Sequence, residues 1–376
     1  MRIQTHPLHG ASSGTRRELT SFHYGPTDAG RKVYVQASLH ADELPGMLVA
    51  HHLRQRLAVL EAAGRLRGEV VVVPVANPIG LGQAVLRSAV GRFELASGEN
   101  FNRHYPVLFD GVLAHIDGRL GSDAAANTVL IRAALRETLA QHPADNELAS
   151  LRKTLLGLAC DAEVVLDLHC DCEAVVHLYT ATPLWPQAEP LARLLGSQAQ
   201  LLALDSGDHP FDETCSSPWW QLAQAFEGRS PIEIPVELGC LSVTVELRGE
   251  ADVTQVQAAA DADALVAFLT HRGLVDGPAP VLPPLLRPAT PLTGTDVIAT
   301  PVSGVVAYLA DPGDWVRAGD TVAEVIDAIS GTVTALKTAT DGVLFAREHR
   351  RYASAGRPLL KVAGATPIRS GKLSSQ

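Results

Sequence analysis

Val33-Tyr34-Val35-Gln36-Ala37-Ser38-Leu39 runs straight into His40-Ala41-Asp42-Glu43, and far downstream Val164-Val165-Leu166 runs into Asp167-Leu168-His169. Each piece is an apolar β-run that ends in metal-ligating side chains. In open α/β sheets, ligands bind beyond the carboxyl ends of the strands. A His and a Glu in one short stretch, joined by a distant His, make the two-His-one-carboxylate set of a catalytic zinc. Such a set leaves a coordination position open, whereas structural zinc sites are closed and usually rich in Cys. His40, Glu43 and His169 are therefore the expected metal ligands. Asp167 shares the strand face of His169. It can either orient that imidazole or serve as a plain buried hydrogen-bonding group.

Working outward, Pro45-Gly46 marks a helix start, and Leu48, Val49, Leu53, Leu57 and Leu60 recur at helical spacing. Val70-Val71-Val72-Val73-Pro74-Val75 then reads as a buried strand closed by Asn77-Pro78. Strand, helix, strand is a βαβ pattern and predicts a largely parallel sheet. Residues 1–30 read as irregular and 80–106 as an ordered loop. Residues 128–158 read as mostly helical, with a further helix over 251–273. Strands are expected at 163–169, 175–180, 232–238 and 242–247.

Six prolines then fall between Pro278 and Pro291, the mark of a stiff linker. Beyond it, short β-runs with Gly/Asp turns predict a small barrel or sandwich. The expected organisation is a catalytic domain over 1–277, a linker over 278–291 and an all-β domain over 292–376 that ends in a disordered-looking tail.

Composition bounds the function. The 376 residues are 46% hydrophobic, enough for two domains. A net charge of −10 argues against a nucleic-acid surface. No stretch approaches the roughly 20 apolar residues that span a bilayer, and Met1 to Pro7 lacks the apolar core of a signal peptide. Five irregularly spaced cysteines suit a reduced, cytoplasmic protein. Cys170 and Cys172 read as small buried residues more readily than as soft metal ligands. A homo-oligomer is compatible with the sequence, which does not itself read the oligomeric state.

At these residues the chain resembles the succinylglutamate desuccinylase/aspartoacylase family, a branch of the zinc carboxypeptidase clan. Four motifs occur in the family's order: His40-x-x-Glu43, Asn100-Phe101-Asn102-Arg103-His104-Tyr105-Pro106, Asp167-Leu168-His169, and Thr244-Val245-Glu246-Leu247-Arg248-Gly249. Ala41 and Arg248 stand where the family commonly has Gly. The resemblance implies a mixed, mostly parallel α/β sheet flanked by helices. It also implies one Zn2+ per chain, held by His40, Glu43 and His169, and Glu246 as the general base, with Glu237 as its rival. Arg92 would stabilise the oxyanion. Asn102 and Arg103 would grip a substrate carboxylate, which a planar guanidinium can hold through both oxygens; Arg248 is a further anion-binding candidate.

The C-terminal part resembles the barrel-sandwich modules of biotinyl and lipoyl carriers. Its probable hairpin tip, Asp327-Ala328-Ile329-Ser330-Gly331, carries no Lys, so a structural module is expected rather than a carrier. The functional expectation is a zinc-dependent deacylase that cleaves the amide of a small N-acyl amino acid. The nearest rival is a metallocarboxypeptidase acting on short peptides. A rival of another class is a non-catalytic metal- or ligand-binding protein.

Overall fold

The computed structural model describes residues 1–228 and 234–373. Nine strands form one mixed sheet. Its centre is three adjacent parallel strands, Lys32–Ala37, Val164–Asp171 and Leu241–Gly249. Glu69–Val73 extends them in parallel on one side, and Glu18–Tyr24 and Arg2–Pro7 complete that edge in antiparallel fashion. On the other side His177–Thr180 runs antiparallel to Leu241–Gly249, and Ala199–Leu202 and Thr290–Pro291 follow in parallel.

Alternation along the central strands sends side chains to two separate cores. Val33, Val35, Ala37, Leu166, Leu168, Val243 and Val245 face the helices Pro45–Ala62, Trp185–Leu195 and Gln255–His271. Tyr34, Val71, Val73 and Val165 face Phe109–Ile116, Ala124–Gln141, Glu147–Ala159 and Phe211–Phe226. Burial on both faces explains why these strands are continuous apolar runs. Pro45 opens its helix at a position where its missing N–H costs nothing. At Gly46 an added Cβ would lie 3.0 Å from the Leu168 carbonyl oxygen and 3.1 Å from Ala37 Cβ. Glycine here suits the close approach of this helix to the two strands that lead to His40 and His169.

Beyond the sheet, two antiparallel four-stranded sheets built from residues 295–364 close over a core of Val306, Val322, Val325, Leu344, Leu360 and Val362. They dock on the main sheet through Glu173–Ala174, which pairs with Ala346 and Arg347 of Gly342–Arg347. Phe345, Val343 and Ala363 pack there against Val175, Ala199 and Leu201.

Several expectations are corrected. The first 30 residues contain two strands: in the second, Leu19, Ser21 and His23 are buried while Glu18, Thr20 and Phe22 between them are more exposed, and Tyr24 is buried as well. The long helical stretch is two helices, separated at residues 142–146, where Asn146 caps the second through the Ala149 N–H. No strand covers 234–238; residues 232 and 233 of that expected strand lie outside the described residues. Thr290 and Pro291, at the end of the expected linker, pair with Leu201 and Leu202 as the edge of the main sheet. Within the tail expected to be disordered, Leu373 is buried and donates its N–H to Ser206 O at 3.0 Å, and residues 374–376 lie outside the described residues. Lys372 adds an ion pair with Asp208 at 2.8 Å. Among the described residues no helix is long and apolar enough to cross a membrane.

Candidate active site

Strand register assembles the centre of the site. On the face turned toward Phe211–Phe226, Gln36, Asp167 and Thr244 form one row across three strands, and His169 stands directly beside Glu246 in the next. His177 of the antiparallel neighbour pairs with Glu246 on its other side. Two residues separate the rows, so each polar side chain points the same way as the next. His40 and Glu43 arrive from the turn just after Lys32–Ala37, where Ser38 takes a left-handed conformation (φ 64°) that bends the chain at the strand end.

His40, Glu43 and His169 are all buried, and their ligand atoms lie within 4.8 Å of one another. Glu43 sits between the rings: its Oε1 is 2.8 Å from His40 Nδ1 and its Oε2 is 2.8 Å from His169 Nδ1. The ring centroids are 5.0 Å apart and nearly perpendicular. Two imidazole nitrogens and a carboxylate converging in a buried space are a donor set suited to a divalent ion such as zinc. The cluster can hold a metal ion. Although burial opposes it, the two histidines hold the Glu43 carboxyl well below the usual range.

Both histidines of the cluster have a polar neighbour behind the ring. His40 Nε2 is 2.9 Å from Asn100 Oδ1. His169 Nε2 is 2.9 Å from Asp167 Oδ2, though not aligned for a good hydrogen bond. Asp167 Oδ1 in turn accepts from Gln36 Nε2 at 2.9 Å, and Gln36 Oε1 accepts from Tyr34 Oη at 2.8 Å. Asp167 therefore contacts the His169 ring and belongs to a buried polar row.

Arg92 reaches the cluster because Gly91 precedes it. Gly91 donates its N–H to Asp42 Oδ2 at 2.9 Å, and its carbonyl accepts from the Ala41 N–H at 3.0 Å. A Cβ on Gly91 would sit 2.3 Å from Asp42 N, so glycine alone permits this docking. Arg92 Nη1 then lies 3.2 Å from His40 Nδ1 and 3.4 Å from Glu43 Oε1, with its side chain still partly exposed. The pairing of Phe93 with Asn100 brings Asn100 to the same place.

Glu246 is partly buried; its Oε2 is sealed from solvent and has no hydrogen-bond partner among the described residues. Burial first, and then the Glu43 charge, push its carboxyl up to about 8. Its rival Glu237 is exposed and precedes the start of the same strand, at the opposite edge of the sheet.

Arg103 is buried and donates from Nη1 to Asn102 O at 2.6 Å. Burial and the nearby Arg92 charge lower its pKa, while Asp212, Asp208 and Glu213 oppose them. Asn102 is buried too, but its Oδ1 accepts from the Phe211 N–H at 2.8 Å, so that oxygen serves the helix start. Arg248 is not brought to the cluster. Its guanidinium is paired with Asp261 of Gln255–His271, a helix packed on the other face of the sheet. Its φ of 67° is the left-handed conformation that glycine adopts without strain, which accounts for a glycine being common there. Trp219 and Phe211 pack in the core.

Sequence reasoning assigned no role to Asn100, His177, Tyr179 or Lys361. Tyr179 and His177 alternate with Leu178, a signal that places both on the face of Glu246. Lys361 comes from the C-terminal sheets and pairs with Asp171, two residues beyond His169; nothing local in the sequence marks that contact.

The comparisons agree with this architecture. A Shewanella amazonensis protein of the succinylglutamate desuccinylase/aspartoacylase family has a structure similar to this one with a TM-score of 0.82. It is 26% identical, and the match covers 96% of this chain and 98% of that one. A second family protein, from Shewanella frigidimarina, matches with a TM-score of 0.83 at 23% identity, over 96% and 97% of the two chains. The product-bound ectoine utilization protein EutE (DoeB) of Ruegeria pomeroyi matches at 0.68 and 15% identity, over 96% and 95%, and shares the fold. No curated protein matches the sequence. The succinylglutamate desuccinylase/aspartoacylase catalytic domain matches residues 29–272, which span every strand of the site, and the chain belongs to that family.

Proposed function

We propose that the protein is a zinc-dependent hydrolase that cleaves the amide bond of a small N-acyl amino acid. The observation that carries this reading is Glu246, a carboxylate raised toward neutrality beside a buried His-Glu-His cluster. His40, Glu43 and His169 would hold the zinc, which when bound supplies Lewis acidity and acidifies water.

The chain's own groups do the rest. Glu246 takes a proton from the attacking water and returns it to the leaving nitrogen. A carboxyl group near neutrality suits both transfers. The field of a dication would lower it from about 8, toward the range in which it starts as a base. Arg92, partly exposed at the edge of the cluster, donates toward the oxygen that gains negative charge. Arg103 feels the charge of Arg92, so two guanidinium groups lie near each other beside the cluster's edge, which favours a substrate bearing a carboxylate. Asn102 accepts through Oδ1 from the Phe211 N–H, and its amide nitrogen would be the donor toward a substrate carboxylate.

The test is metal content measured together with turnover of N-acetyl, N-succinyl and N-formyl amino acids beside short peptides. About one zinc per chain and chelator-sensitive release of an amino acid support the reading. Glu246→Gln should lower kcat by ~10²–10⁴-fold while the metal stays bound. Peptide trimming alone would instead favour a carboxypeptidase, and a fully active Glu246→Gln enzyme would refute the mechanism.

A further inference from the structure

A second group of metal-ligating side chains stands apart from the first. The thiol of Cys172, the carboxylate of Glu250 and the imidazole of His349 bring their ligand atoms within 4.8 Å of one another. None of the three has a part in the reaction described above. We propose that they form a second divalent-cation site, which clasps the C-terminal β-sandwich to the two strands that carry His169 and Glu246.

The backbone delivers each residue to this place. Cys172 and Glu250 follow the ends of Val164–Asp171 and Leu241–Gly249, and the Glu250 N–H donates to Cys172 O at 3.1 Å. Gly249 between them has no room for a side chain, since a Cβ would stand 2.9 Å from that same carbonyl oxygen. His349 lies just beyond Gly342–Arg347, the strand that Ala174 and Glu173 hold against the main sheet. Arg347 and Arg351 both pair with Glu173, at 2.6 Å each, which ties down the strand and the turn that carries His349.

The donor spacing suits a metal. His349 Nδ1 and Glu250 Oε2 are 3.6 Å apart. Ligands about 2.1 Å from a tetrahedral zinc stand roughly 3.4 Å from each other. As a hydrogen bond or an exposed ion pair the same contact is poor, and such pairs contribute about 0–1 kcal/mol. Glu348 Oε1, 3.3 Å from His349 Nδ1, supplies further negative charge, although Glu348 is also engaged by Arg357. His349 and Glu250 are exposed and Cys172 is partly so, which leaves the site open to an ion from solution. One sulfur, one nitrogen and one oxygen select zinc, cobalt or cadmium over magnesium or calcium.

Sulfur gives the test its specificity, because the His40–Glu43–His169 cluster contains none. Metal-free full-length protein is titrated with cobalt(II) to two equivalents, and the near-ultraviolet thiolate-to-cobalt charge-transfer band is followed. The expected result is a band in the wild-type protein and in Cys170→Ser, and its loss in Cys172→Ser. His349→Gln, a surface change, should weaken the midpoint ~10-fold or more, at least what an outer-shell partner alone is worth. No band at two equivalents, a band that survives Cys172→Ser, or a midpoint unmoved in His349→Gln would overturn the site. The readout does not depend on turnover, so its failure would leave the proposed hydrolase untouched.

Discussion

Asp167→Asn tests the link between the polar row and the metal cluster. The Asp167 side chain is wholly buried. One oxygen accepts from Gln36 and the other faces His169 Nε2 at 2.9 Å. Asparagine keeps the shape but can accept on one side only. If its oxygen stays with His169, its amide faces the Gln36 amide. Rotating Gln36 relieves that clash but deprives the Tyr34 hydroxyl proton of its acceptor. Either way one buried donor is left unsatisfied, a cost of about 1–3 kcal/mol. The imidazole also loses a carboxylate partner, which typically weakens metal binding about 10–100-fold. Zinc competition against a chromophoric chelator measures the second effect, and urea unfolding of the metal-free protein measures the first. A variant with wild-type zinc affinity and wild-type apo stability would refute both the brace and the row.

Three further outcomes are expected. Arg92→Ala should lower kcat by ~10²–10³-fold, the usual cost of an oxyanion donor, with little change in bound zinc; steady-state kinetics beside metal analysis checks this. Asp161, mostly buried, is held below the usual carboxylate range by Lys32 and Arg136 against the pull of burial. A depressed folded value means that its stabilisation is present above the unfolded carboxyl range and is lost as pH falls through the folded value. The melting deficit of Asp161→Asn relative to wild type should therefore shrink on acidification; a constant deficit would contradict the assignment. Gly46→Ala should cost about 1–3 kcal/mol by overpacking against Leu168 and Ala37, and a neutral or stabilising result in urea unfolding would show that the helix can shift outward freely.

Much of the centre was legible because it rests on local pattern. Hydrophobic runs that end in His and Glu located the parallel strands and the edge at which the ligands emerge. Period-2 alternation put Asp167 beside His169, and motif order supplied Glu246. Neighbouring elements escaped for physical reasons. Arg2–Pro7 is exposed along nearly its whole length and carries no apolar pattern. Trp185–Leu195 and Phe211–Phe226 hold internal prolines that read as breaks.

By itself the sequence determined the composition of the candidate centre: which side chains can ligate, which can carry a proton, and that they lie at strand ends. The tertiary structure decided which candidates meet. Register set Glu246 against His169 and left Glu237 at the far edge. A glycine with no room for a Cβ admitted Arg92 to the cluster, while Asp261 drew Arg248 away from it. Docking of the C-terminal sheets brought Lys361 to Asp171 and His349 to Cys172. Local periodicity encodes a face and an end of a strand; contacts between residues far apart in the chain depend on packing, which no single stretch of sequence carries.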